Sequence, residues 1–499
     1  MANPSLQIGN SKWAIKKDNL LGYSSSGTRF FPIPITMTRA SAGTRVNSSG
    51  LVETVELLGS DDVTDGNFPS GTTAWSFGTG WSLGTNKAER LVAASSTDLV
   101  QASVFPNLTS TFQISFDVEA SAGSVRARLG QTNLAYVGQG SYVLYGVPTG
   151  NDQLKFQADS SFVGSITNIS VKEYQANDLA RVDYTGSTSS LLAEPQRTNL
   201  FIQNDYSTWN GFGSYSSNTT LSPDGSTINF INFEDLRIYP TTTISSSTEY
   251  STSIYIKANK TADVKLRSAA AGDTVISLTT EWQRFDLTAT SSSTTSNALL
   301  IDGRFSQSMG ASGLEIAIYG GQIEAGSYAT SYIPTSGSTV TRVQDQYSKT
   351  GISDKINSEQ GVLFVEMAAL SDDLTRRKIT ISDGTLSNFC SLYFDSVSNR
   401  IIGRTTVGGV LQSFLITSSY TEINFNKIAF KWKENDFSLW VNGTEVAVDT
   451  SGVVWSSGVL TKISFDNGVG AENLFGKVKQ LQVFKTALTD SELATLTTI

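Results

Sequence analysis

The chain has 499 residues, only 16% of them charged, and its net charge of −9 excludes the basic surface that nucleic-acid binding requires. It contains no histidine, which excludes histidine-based acid–base catalysis, Ser–His and Cys–His nucleophile pairs and histidine-ligated zinc. The single cysteine, Cys390, excludes an intrachain disulfide, and the apolar residues around it predict that it is buried.

The amino-terminal stretch "MANPSLQIGNSKWAIKKDN" (1–19) lacks the apolar core of a signal peptide. No later stretch is apolar over a membrane-spanning length, so we expect no membrane insertion. The chain length predicts several domains. We treat residues 1–60 as an N-terminal segment that precedes the first of them.

An internal repeat occupies the middle of the chain. The stretch "TFQISFDVEA" (111–120) aligns without gaps with "EYSTSIYIKA" (249–258), and in both stretches alternate residues are suited to one buried face of a strand. Further along, "ITNISVKE" (166–173) aligns with "IYGGQIEA" (318–325). Gly, Ser, Thr and Asn clusters separate these short strands, as they do in antiparallel sandwiches.

A third pair of stretches lies upstream of the other two. "TAWSFGTGWSL" (73–83) aligns with "STWNGFGSYSS" (207–217), which places Trp75 opposite Trp209. The three pairs together predict two copies of one β-domain of the jelly-roll type. We place the two domains at 61–176 and 198–335. The return linker or strand segment between them covers 177–197.

Strong strand signals return in the last third of the chain. "GVLFVEMAAL" (361–370) reads as a strand, and "KIAFKWKENDFSLWVNGTEVAVD" (427–449) as consecutive antiparallel strands. Asn442-Gly443 stands between two alternating stretches, and this dipeptide favours a two-residue hairpin turn. We predict a third β-sandwich over residues 343–499.

The final stretch, "LFGKVKQLQVFKTALTDSELATLTTI" (474–499), predicts a strand followed by a short helix. The alternation of apolar residues slips by one between Val478 and Leu481, which indicates a β-bulge. Thr489 and Glu492 have the spacing of a capping box, and Leu488 with Leu493 has that of a hydrophobic staple. The strand and the helix should close the third sandwich.

Four stretches of the sequence resemble segments that recur in bacteriophage virion proteins of the fibre and spike kind. They are "FFPIPITMTRASAGTRVNSSGLVETV" (30–55), "ARVDYTG" (180–186), "SLLAEPQRTNLF" (190–201) and "SYATSYIPTSGSTVTRVQD" (327–345). In such proteins the first segment often runs almost directly into the second, whereas roughly 120 residues intervene here. We therefore interpret the first jelly roll as an inserted domain.

Two further resemblances concern the predicted domains. "DGNFPSGTTAWSFGTGWSL" (65–83) is similar to the opening of carbohydrate-binding jelly-roll modules. Residues 343–499 resemble the concanavalin A/laminin-G sandwich, whose members often end in a strand and helix of the "VKQLQVFKTALTDSEL" type. The predicted fold is therefore all-β and multidomain, with two jelly-roll-like sandwiches and a C-terminal concanavalin A-like sandwich that ends in a short helix.

These resemblances imply a structural protein exposed on the virion, as a fibre, a spike or a capsid-surface protein. Residues 1–60 would dock on the particle, other virion proteins would be partners, and the chain would be a homo-oligomer, with a trimer favoured. The β-domains would bind host-surface polysaccharide, with no cofactor and no enzymatic activity. Two alternatives remain, namely a glycan-depolymerising enzyme of the tailspike type and a capsid decoration protein without a ligand.

Aromatic side chains in loops are the candidate carbohydrate contacts, because a ring can stack on the C–H face of a sugar. Trp81 and Tyr215 are preferred, since they lie at matching places in the two repeats beside glycines. Trp75, Trp209 and Tyr239 are further candidates. A tryptophan near the start of a β-sandwich is also commonly a core residue, and this interpretation stays open.

Two acidic clusters are candidate metal sites, and the one at 371–374, "SDDL", is the weaker of the two. Asp61, Asp62 and Asp65 lie in "SDDVTDG" (60–66), and oxygen-rich turns of this kind hold structural calcium in many β-sandwiches. Their spacing does not fit the twelve-residue calcium-binding loop of helix–loop–helix proteins, so a solvated turn is the alternative.

Glycoside hydrolysis needs two suitably spaced carboxylates and no histidine, so composition alone leaves it open. Sugar-cleaving enzymes of the concanavalin A-like fold carry a Glu-x-Asp-x-x-Glu strand motif, and the sequence contains no such string. Glu366 stands alone in its predicted strand. The sequence therefore gives the enzymatic alternative no specific residues.

Overall fold

A computed structural model describes residues 2–16, 18–25, 30–202, 205–269, 272–294 and 298–499. The described chain is almost entirely β-structure, with one α-helix, Asp490–Thr497, and two short 3-10 helices, Tyr206–Thr208 and Phe305–Gln307. The prediction of an all-β, multidomain fold that ends in a short helix is confirmed. None of the helices in these ranges has the length and apolar character to cross a membrane.

The chain divides into two compact units, one of residues 56–176 and the other of residues 1–55 with 177–499. The first unit contains a β-sandwich of two antiparallel sheets, and the strand Leu57–Asp61 extends it beyond the predicted domain start. One sheet contains Leu57–Asp61, Ser82–Leu83, Ala88–Arg90, Thr111–Ala122, Gly140–Gly146 and Val163–Gln175. The other contains Ser76–Phe77, Thr97–Gln101, Val125–Leu129, Thr132–Asn133 and Leu154–Ala158.

The second unit contains the other predicted jelly roll as a sandwich of five and four strands. The larger sheet contains Tyr215–Leu221, Thr227–Asn232, Glu249–Ala258, Gln283–Thr290 and Glu315–Ala325. The smaller contains Arg237–Ile238, Ala262–Ser268, Asp273–Leu278 and Leu299–Asp302. Two strand pairs lie beside it, Thr44–Val46 with Val52–Thr54 and Arg197–Asn199 with Val340–Arg342.

The repeat is visible in the central strands of the two sandwiches. Thr111–Ala122 pairs with Val163–Gln175 on one side and Gly140–Gly146 on the other, and Glu249–Ala258 has the equivalent two neighbours in its own sheet. The side chains predicted to share a buried face are all buried, namely Phe112, Ile114, Phe116 and Val118 in one copy and Tyr250, Thr252, Ile254 and Ile256 in the other.

A third sheet system is also part of the second unit. Its amino-terminal strands are Leu6–Gly9, Ile15–Lys16, Asn19–Ser25, Phe30–Thr38, Arg181–Thr185 and Thr188–Ala193. Its remaining strands are Gln346–Lys349, Gln360–Ala369, Arg377–Ser382, Phe389–Phe394, Ile401–Val407, Val410–Thr417, Asn426–Lys433, Phe437–Val441, Thr444–Asp449, Lys462–Ser464 and Gly476–Phe484.

The structure therefore places the predicted N-terminal segment, residues 1–60, differently from our expectation. Leu6–Gly9 pairs with Gly476–Phe484, and Phe30–Thr38 pairs with Gln346–Lys349, so both belong to the sandwich of residues 343–499. Ile33, Ile35 and Met37 are buried in the same core as the residues of that sandwich. Their alternation indicated a strand, but no local signal indicates which distant strand is the partner.

The local signals at the end of the chain are confirmed. Asn442 and Gly443 have φ values of 51° and 85° and join two paired strands, as the hairpin prediction requires. The final strand bulges beside Val478, where its register against Gln360–Ala369 shifts. Thr489 and Glu492 form the capping box, and Cys390 is fully buried.

Candidate functional site

Two adjacent cavities of about 590 and 340 Å³ lie where the hairpin 44–54 meets the second sandwich. Thr44, Val52 and Tyr332 line both cavities, so they form one continuous depression, which we call the tyrosine cleft. Its volume is in the range of small-molecule binding sites. The tyrosines that line it are Tyr184, Tyr206, Tyr255, Tyr319 and Tyr332.

Three of these rings form a row. The ring centres of Tyr255 and Tyr319 are 5.9 Å apart, and those of Tyr319 and Tyr332 are 5.5 Å apart. Burial, followed by the nearby carboxylate of Asp224, raises the pKa of Tyr332 to about 12 and also raises that of Tyr319. The phenols therefore stay protonated at neutral pH and present both an apolar face and a hydroxyl donor.

The carboxylates of the larger cavity are Glu53 and Asp224, and both are held by donors. Glu53 accepts hydrogen bonds from Arg45 Nε at 2.9 Å and from Asn47 Nδ2 at 2.8 Å. Desolvation acts to raise the pKa of Asp224, but hydrogen bonds from Ser222, Ser226 and Tyr319 bring it below its usual value. Asp224 is therefore an ionised acceptor at neutral pH, and Glu53 is held in place by its two donors.

The lining of the smaller cavity contains two carboxylates, Asp183 and Glu194, and three cationic side chains, Arg45, Arg284 and Lys477. Asp183 accepts from the Val46 amide at 2.8 Å and pairs with Lys477 Nζ at 2.8 Å. Arg45 pairs with Glu53, and Arg284 lies over the ring of Tyr255 at 5.6 Å. The cavities that hold the tyrosine row are therefore lined by both hydrogen-bond donors and acceptors.

A buried ion-pair cluster adjoins the smaller cavity through Glu194, which lines it. The cluster contains Arg39, Arg181, Glu194, Arg342 and Asp345, whose side chains are at most 3% exposed. We call it the arginine cluster. Arg181 bridges the two carboxylates, with its Nη1 at 2.5 Å from Glu194 and its Nη2 hydrogen-bonded to Asp345.

The protonation of the arginine cluster follows from these pairs. Desolvation acts to raise the pKa of Glu194, but the charges of Arg342 and Arg181 bring it well below its usual range. The pKa of Asp345 is lowered in the same way, chiefly by Arg181 and Arg39 against its desolvation. Both carboxylates are therefore ionised, and they tie distant parts of the chain into the wall of the cleft.

The cleft and the arginine cluster are built largely from the four stretches that carried the virion resemblance. Thr44 and Arg39 come from the first stretch, Arg181 and Asp183 from the second, and Glu194 from the third. The fourth stretch supplies Thr330, Ser331, Tyr332, Arg342 and Asp345. Sequence reasoning missed these site residues, although the four stretches were the signal that could have found them.

Three of the predicted contact residues lie in cores instead. Trp81, Trp75 and Trp209 are only 6, 5 and 3% exposed, so the prediction that their rings face a sugar is wrong. Trp81 packs on Phe162 with ring centres 5.8 Å apart, and Trp75 packs on Phe68 at 5.1 Å. The neighbouring glycines indicated exposed rings, but glycines allow the chain to turn a ring inward as readily as outward.

The other two predicted aromatics are accessible. Tyr215 is 44% exposed, and its hydroxyl is hydrogen-bonded to Asp205, the residue that caps the 3-10 helix beginning at Tyr206 of the cleft. Tyr239 is partly exposed, with Arg237 over its ring at 5.3 Å.

The acidic turn at 60–66 uses its carboxylates locally. Asp61 Oδ1 accepts from the amides of Val63 and Val171 at 3.1 and 3.0 Å, and Asp65 Oδ2 accepts from Thr72 Oγ1 at 2.8 Å. Burial, and then the neighbouring charge of Asp61, raises the pKa of Asp62. In the described ranges, no group of three His, Cys, Asp or Glu side chains is arranged to hold a metal ion.

Comparisons with known proteins give the following likenesses. No protein-family model matches the chain, and no curated protein sequence matches it. The Ruminococcus gnavus IT-sialidase CBM40 bound to alpha2,3 sialyllactose is similar to 28% of this chain over 83% of its own length, with 19% identity and a TM-score of 0.25.

Two further solved structures resemble larger parts of the chain. Domain 4 of AbnA, a GH43 extracellular arabinanase from Geobacillus stearothermophilus in complex with arabinotriose, matches 35% of this chain and 82% of its own, with 12% identity and a TM-score of 0.26. Domains LG4-5 of the mouse laminin alpha1 chain match 56% of this chain and 93% of their own, with 10% identity and a TM-score of 0.22.

Proposed function

We propose that this protein binds glycans at the tyrosine cleft and, as a surface protein of a bacteriophage particle, attaches the particle to host polysaccharide. The observation that carries the proposal is the row of Tyr255, Tyr319 and Tyr332 in the wall of one cleft. Fixed carboxylates and guanidinium groups surround this row. The proposal concerns binding and not cleavage.

The chemistry of the cleft suits a sugar. A pyranose ring presents apolar C–H groups on its faces and hydroxyl groups around its edge. The tyrosine faces supply flat apolar surface, while the carboxylate oxygens of Asp224 and Glu53 can accept hydrogen bonds from sugar hydroxyls. The protonated Tyr332 hydroxyl can donate to a ring or hydroxyl oxygen.

The carboxylates of the cleft favour binding over hydrolysis. A glycosidase needs one carboxylic acid whose pKa is raised, so that it donates a proton at the working pH. Asp224 has a lowered pKa, and both oxygens of Glu53 accept hydrogen bonds from Arg45 and Asn47. These groups are set up as acceptors, which supports a protein that holds a glycan without cutting it.

The location on a virion is supported by the sequence resemblance and by where the resembling stretches meet. All four stretches contribute residues to the arginine cluster or to the lining of the cleft, among them Thr44, Arg181, Glu194 and Ser331. If the site serves an attachment function that is common to these virion proteins, the segments that recur in them are expected to build that site. Finding this chain by mass spectrometry in purified, nuclease-treated particles tests the location, and its absence from them would contradict it.

A glycan-binding experiment on the purified full chain tests the function. Fluorescently labelled host polysaccharide should bind the wild-type protein, and Tyr319→Ala should lose most of that binding because it interrupts the tyrosine row. Tyr319→Phe should retain more, since the ring stays while the hydrogen bond to Asp224 is lost. Tyr145→Ala, which removes a 45% exposed tyrosine outside the cleft, serves as the matched control.

Two outcomes would contradict the proposal. Equal losses in Tyr319→Ala and Tyr145→Ala would show that the cleft is not the site. New reducing ends in host polysaccharide after incubation with the protein would show a depolymerising enzyme. Thermal unfolding of each variant is measured beside binding, so that a loss of fold is not read as a loss of contact.

We also propose that the chain acts as a homotrimer, as the resemblance to fibre and spike proteins implies. Three copies would carry three clefts, and linked weak sites bind a polyvalent surface far more tightly than one site does. Multi-angle light scattering at micromolar concentration should report three times the monomer mass. A monomer at that concentration would contradict the trimer but leave the binding site untouched.

A further inference from the structure

Arg284 differs from the other cations of the tyrosine cleft because it has no carboxylate partner within the described ranges. Its Nη2 donates to Ser253 Oγ at 2.8 Å and to the Thr330 carbonyl at 2.5 Å, which are both neutral acceptors. By contrast, Arg45 pairs with Glu53 and Lys477 pairs with Asp183. Within the part of the chain that the structure describes, Arg284 therefore carries a positive charge that no ion pair offsets.

Two nitrogens of Arg284 remain without a hydrogen-bond acceptor in the part of the chain that the structure describes. Among the described residues, Nε is buried without a hydrogen-bond partner, and no hydrogen bond is made by Nη1. Two contacts hold the guanidinium group in place. One is the hydrogen bond that Nη2 donates to the Thr330 carbonyl, and the other is the ring of Tyr255, whose centre is 5.6 Å away. Arg284 is thus a preorganised donor in the wall of the smaller cavity.

The arginine cluster adds to the positive potential at this place. It sets three guanidinium groups, those of Arg39, Arg181 and Arg342, against the two carboxylates of Glu194 and Asp345. The nearby carboxyl of Glu324 is also buried, and its desolvation raises its pKa, which favours the neutral form. A charge buried away from solvent is poorly screened, so its field extends into the adjoining cavity.

We infer that the tyrosine cleft selects an acidic glycan, in which the carboxylate of a uronic or sialic acid residue pairs with Arg284. This inference rests on the proposed glycan-binding function and narrows it to a class of sugar. Guanidinium–carboxylate pairs are among the strongest hydrogen-bonded contacts in proteins, and the planar group of Arg284 is already held in place. The sugar ring bearing the carboxylate then lies beside Tyr255 and Tyr332, which line the same cavity.

Binding of matched acidic and neutral sugars to the purified full chain tests the inference. The probes are trigalacturonate and its carboxyl-reduced galactose counterpart, and 3′-sialyllactose and lactose, each titrated by calorimetry. At least one acidic probe should bind about tenfold or more tightly than its neutral partner, the usual worth of one charged hydrogen bond. The preference should shrink as NaCl rises from 50 to 500 mM, because salt screens the pair.

Three variants assign the preference to Arg284. Arg284→Met should bring the affinity ratio of acidic to neutral probe close to one, because it removes the charge that pairs with the sugar carboxylate. Arg284→Lys should keep part of the preference, because it keeps the charge but loses the planar fork. Arg126→Met is the matched control, since Arg126 also lies over a tyrosine ring, that of Tyr136 at 4.7 Å, but outside the cleft. Thermal unfolding confirms that each variant is folded.

The outcomes separate this inference from the function on which it rests. Equal binding of acidic and neutral probes, with Arg284→Met unchanged, overturns the acidic preference and leaves glycan binding standing. Binding of no probe and of no host polysaccharide overturns glycan binding itself. A preference that Arg126→Met abolishes and Arg284→Met retains places the site outside the tyrosine cleft. Comparison of the affinities for trigalacturonate and 3′-sialyllactose shows whether a uronic or a sialic acid is the preferred ligand.

Discussion

Asn168 and Gly320 occupy the same position in the two β-sandwiches, and both have a positive φ, of 55° and 63°. Each lies at a β-bulge in the strand that pairs with the central strand of its sheet. The register shifts between Ser115 and Asp117 in one copy and between Ser253 and Tyr255 in the other, which are the aligned pairs of the sequence repeat. The bulge is therefore part of the repeated architecture, and in the second copy Tyr319 and Gly320 at the bulge line the tyrosine cleft.

The shared bulge predicts that a β-branched residue is costly at both positions. Asn168→Val should lower the free energy of unfolding by about 1–2 kcal/mol, because asparagine tolerates the left-handed conformation and valine does not. Gly320→Val should cost more, since an added Cβ would lie 3.3 Å from Tyr255 and 3.5 Å from Tyr332. Urea unfolding of both variants measures these costs.

Asn168→Gly is the control for the bulge, and it should stay within about 0.5 kcal/mol of the wild type because glycine adopts a positive φ freely. Equal destabilisation of the glycine and valine variants would show that the hydrogen bond of the Asn168 side chain to Asp117, and not the backbone conformation, holds the bulge.

A second prediction separates the two aromatic residues preferred from the sequence. Trp81→Ala should lower the free energy of unfolding of residues 56–176 by about 3–5 kcal/mol, since it leaves a cavity beside Phe162 in a core. Tyr215→Ala should cost less than about 1 kcal/mol, because nearly half of its side chain is already in solvent. Chemical denaturation of the two variants side by side checks the contrast, and equal costs would contradict the core assignment of Trp81.

The arginine cluster makes a third prediction. Arg181→Met should lower the free energy of unfolding by more than about 3 kcal/mol, because it leaves Glu194 and Asp345 buried with one cation fewer. Arg267→Met is the control, since its pair with Asp273 is about a quarter exposed and is worth less than about 1 kcal/mol.

If Arg181→Met fails to fold, Arg181→Lys tests the same bridging role with a smaller loss in the free energy of unfolding. It keeps the charge but reaches only one of the two carboxylates, and its stability should lie between those of the wild type and Arg181→Met. Wild-type stability in Arg181→Lys would contradict the bridging role.

Glu422 predicts how stability depends on pH. Burial, and then the neighbouring carboxyl of Asp372, raises the pKa of this fully buried carboxyl from 4.5 to about 8. Between these values the folded state binds the proton that the unfolded state has released, so stability falls as pH rises from about 4.5 to 8. Glu422→Gln should remove this dependence and stabilise the protein at pH 8 by more than about 1 kcal/mol, since one pKa unit corresponds to about 1.4 kcal/mol.

Urea unfolding at pH 5, 6.5 and 8 measures the slope for wild type and Glu422→Gln. Glu434→Gln replaces an exposed glutamate of the same sandwich and is the control. Parallel pH profiles for the wild type and Glu422→Gln would show that Glu422 does not hold its proton in the folded state.

A fifth prediction concerns the unit of residues 56–176. Its hydrophobic core is made by residues of that range alone, so the excised fragment should fold and unfold cooperatively. A fragment of residues 62–176 should be less stable, because it lacks the strand Leu57–Asp61 that pairs with Val163–Gln175. Circular dichroism during urea unfolding distinguishes the two, and a longer fragment without a cooperative transition would contradict its independence.

Local features of the fold were predictable from the sequence because their causes are local. Asn442 and Gly443 adopt the backbone angles of a tight hairpin whatever surrounds them, and Thr489 and Glu492 need only each other to cap the helix. The repeat was also readable, since equivalent strands keep their alternation.

The tyrosine cleft was not predictable in the same way. Thr44, Tyr255 and Tyr332 are far apart in sequence, and no local pattern shows that their side chains line one cavity. The burial of Trp81 was equally hidden, because its glycine neighbours are compatible with a ring that faces inward or outward. The four recurring stretches contain many of the residues that line the cleft, but their sequences do not indicate how these residues are arranged in space.

The pairing of Leu6–Gly9 with Gly476–Phe484 has a consequence for synthesis on the ribosome. At about 5–20 residues per second, the first of these strands emerges tens of seconds before its partner. During that time residues 56–176 can complete their own core, while the amino-terminal strands have open hydrogen-bonding edges that other nascent chains can pair with. The yield of folded protein should therefore rise with chaperone supply and with lower temperature during expression, because both limit the encounters of those early strands.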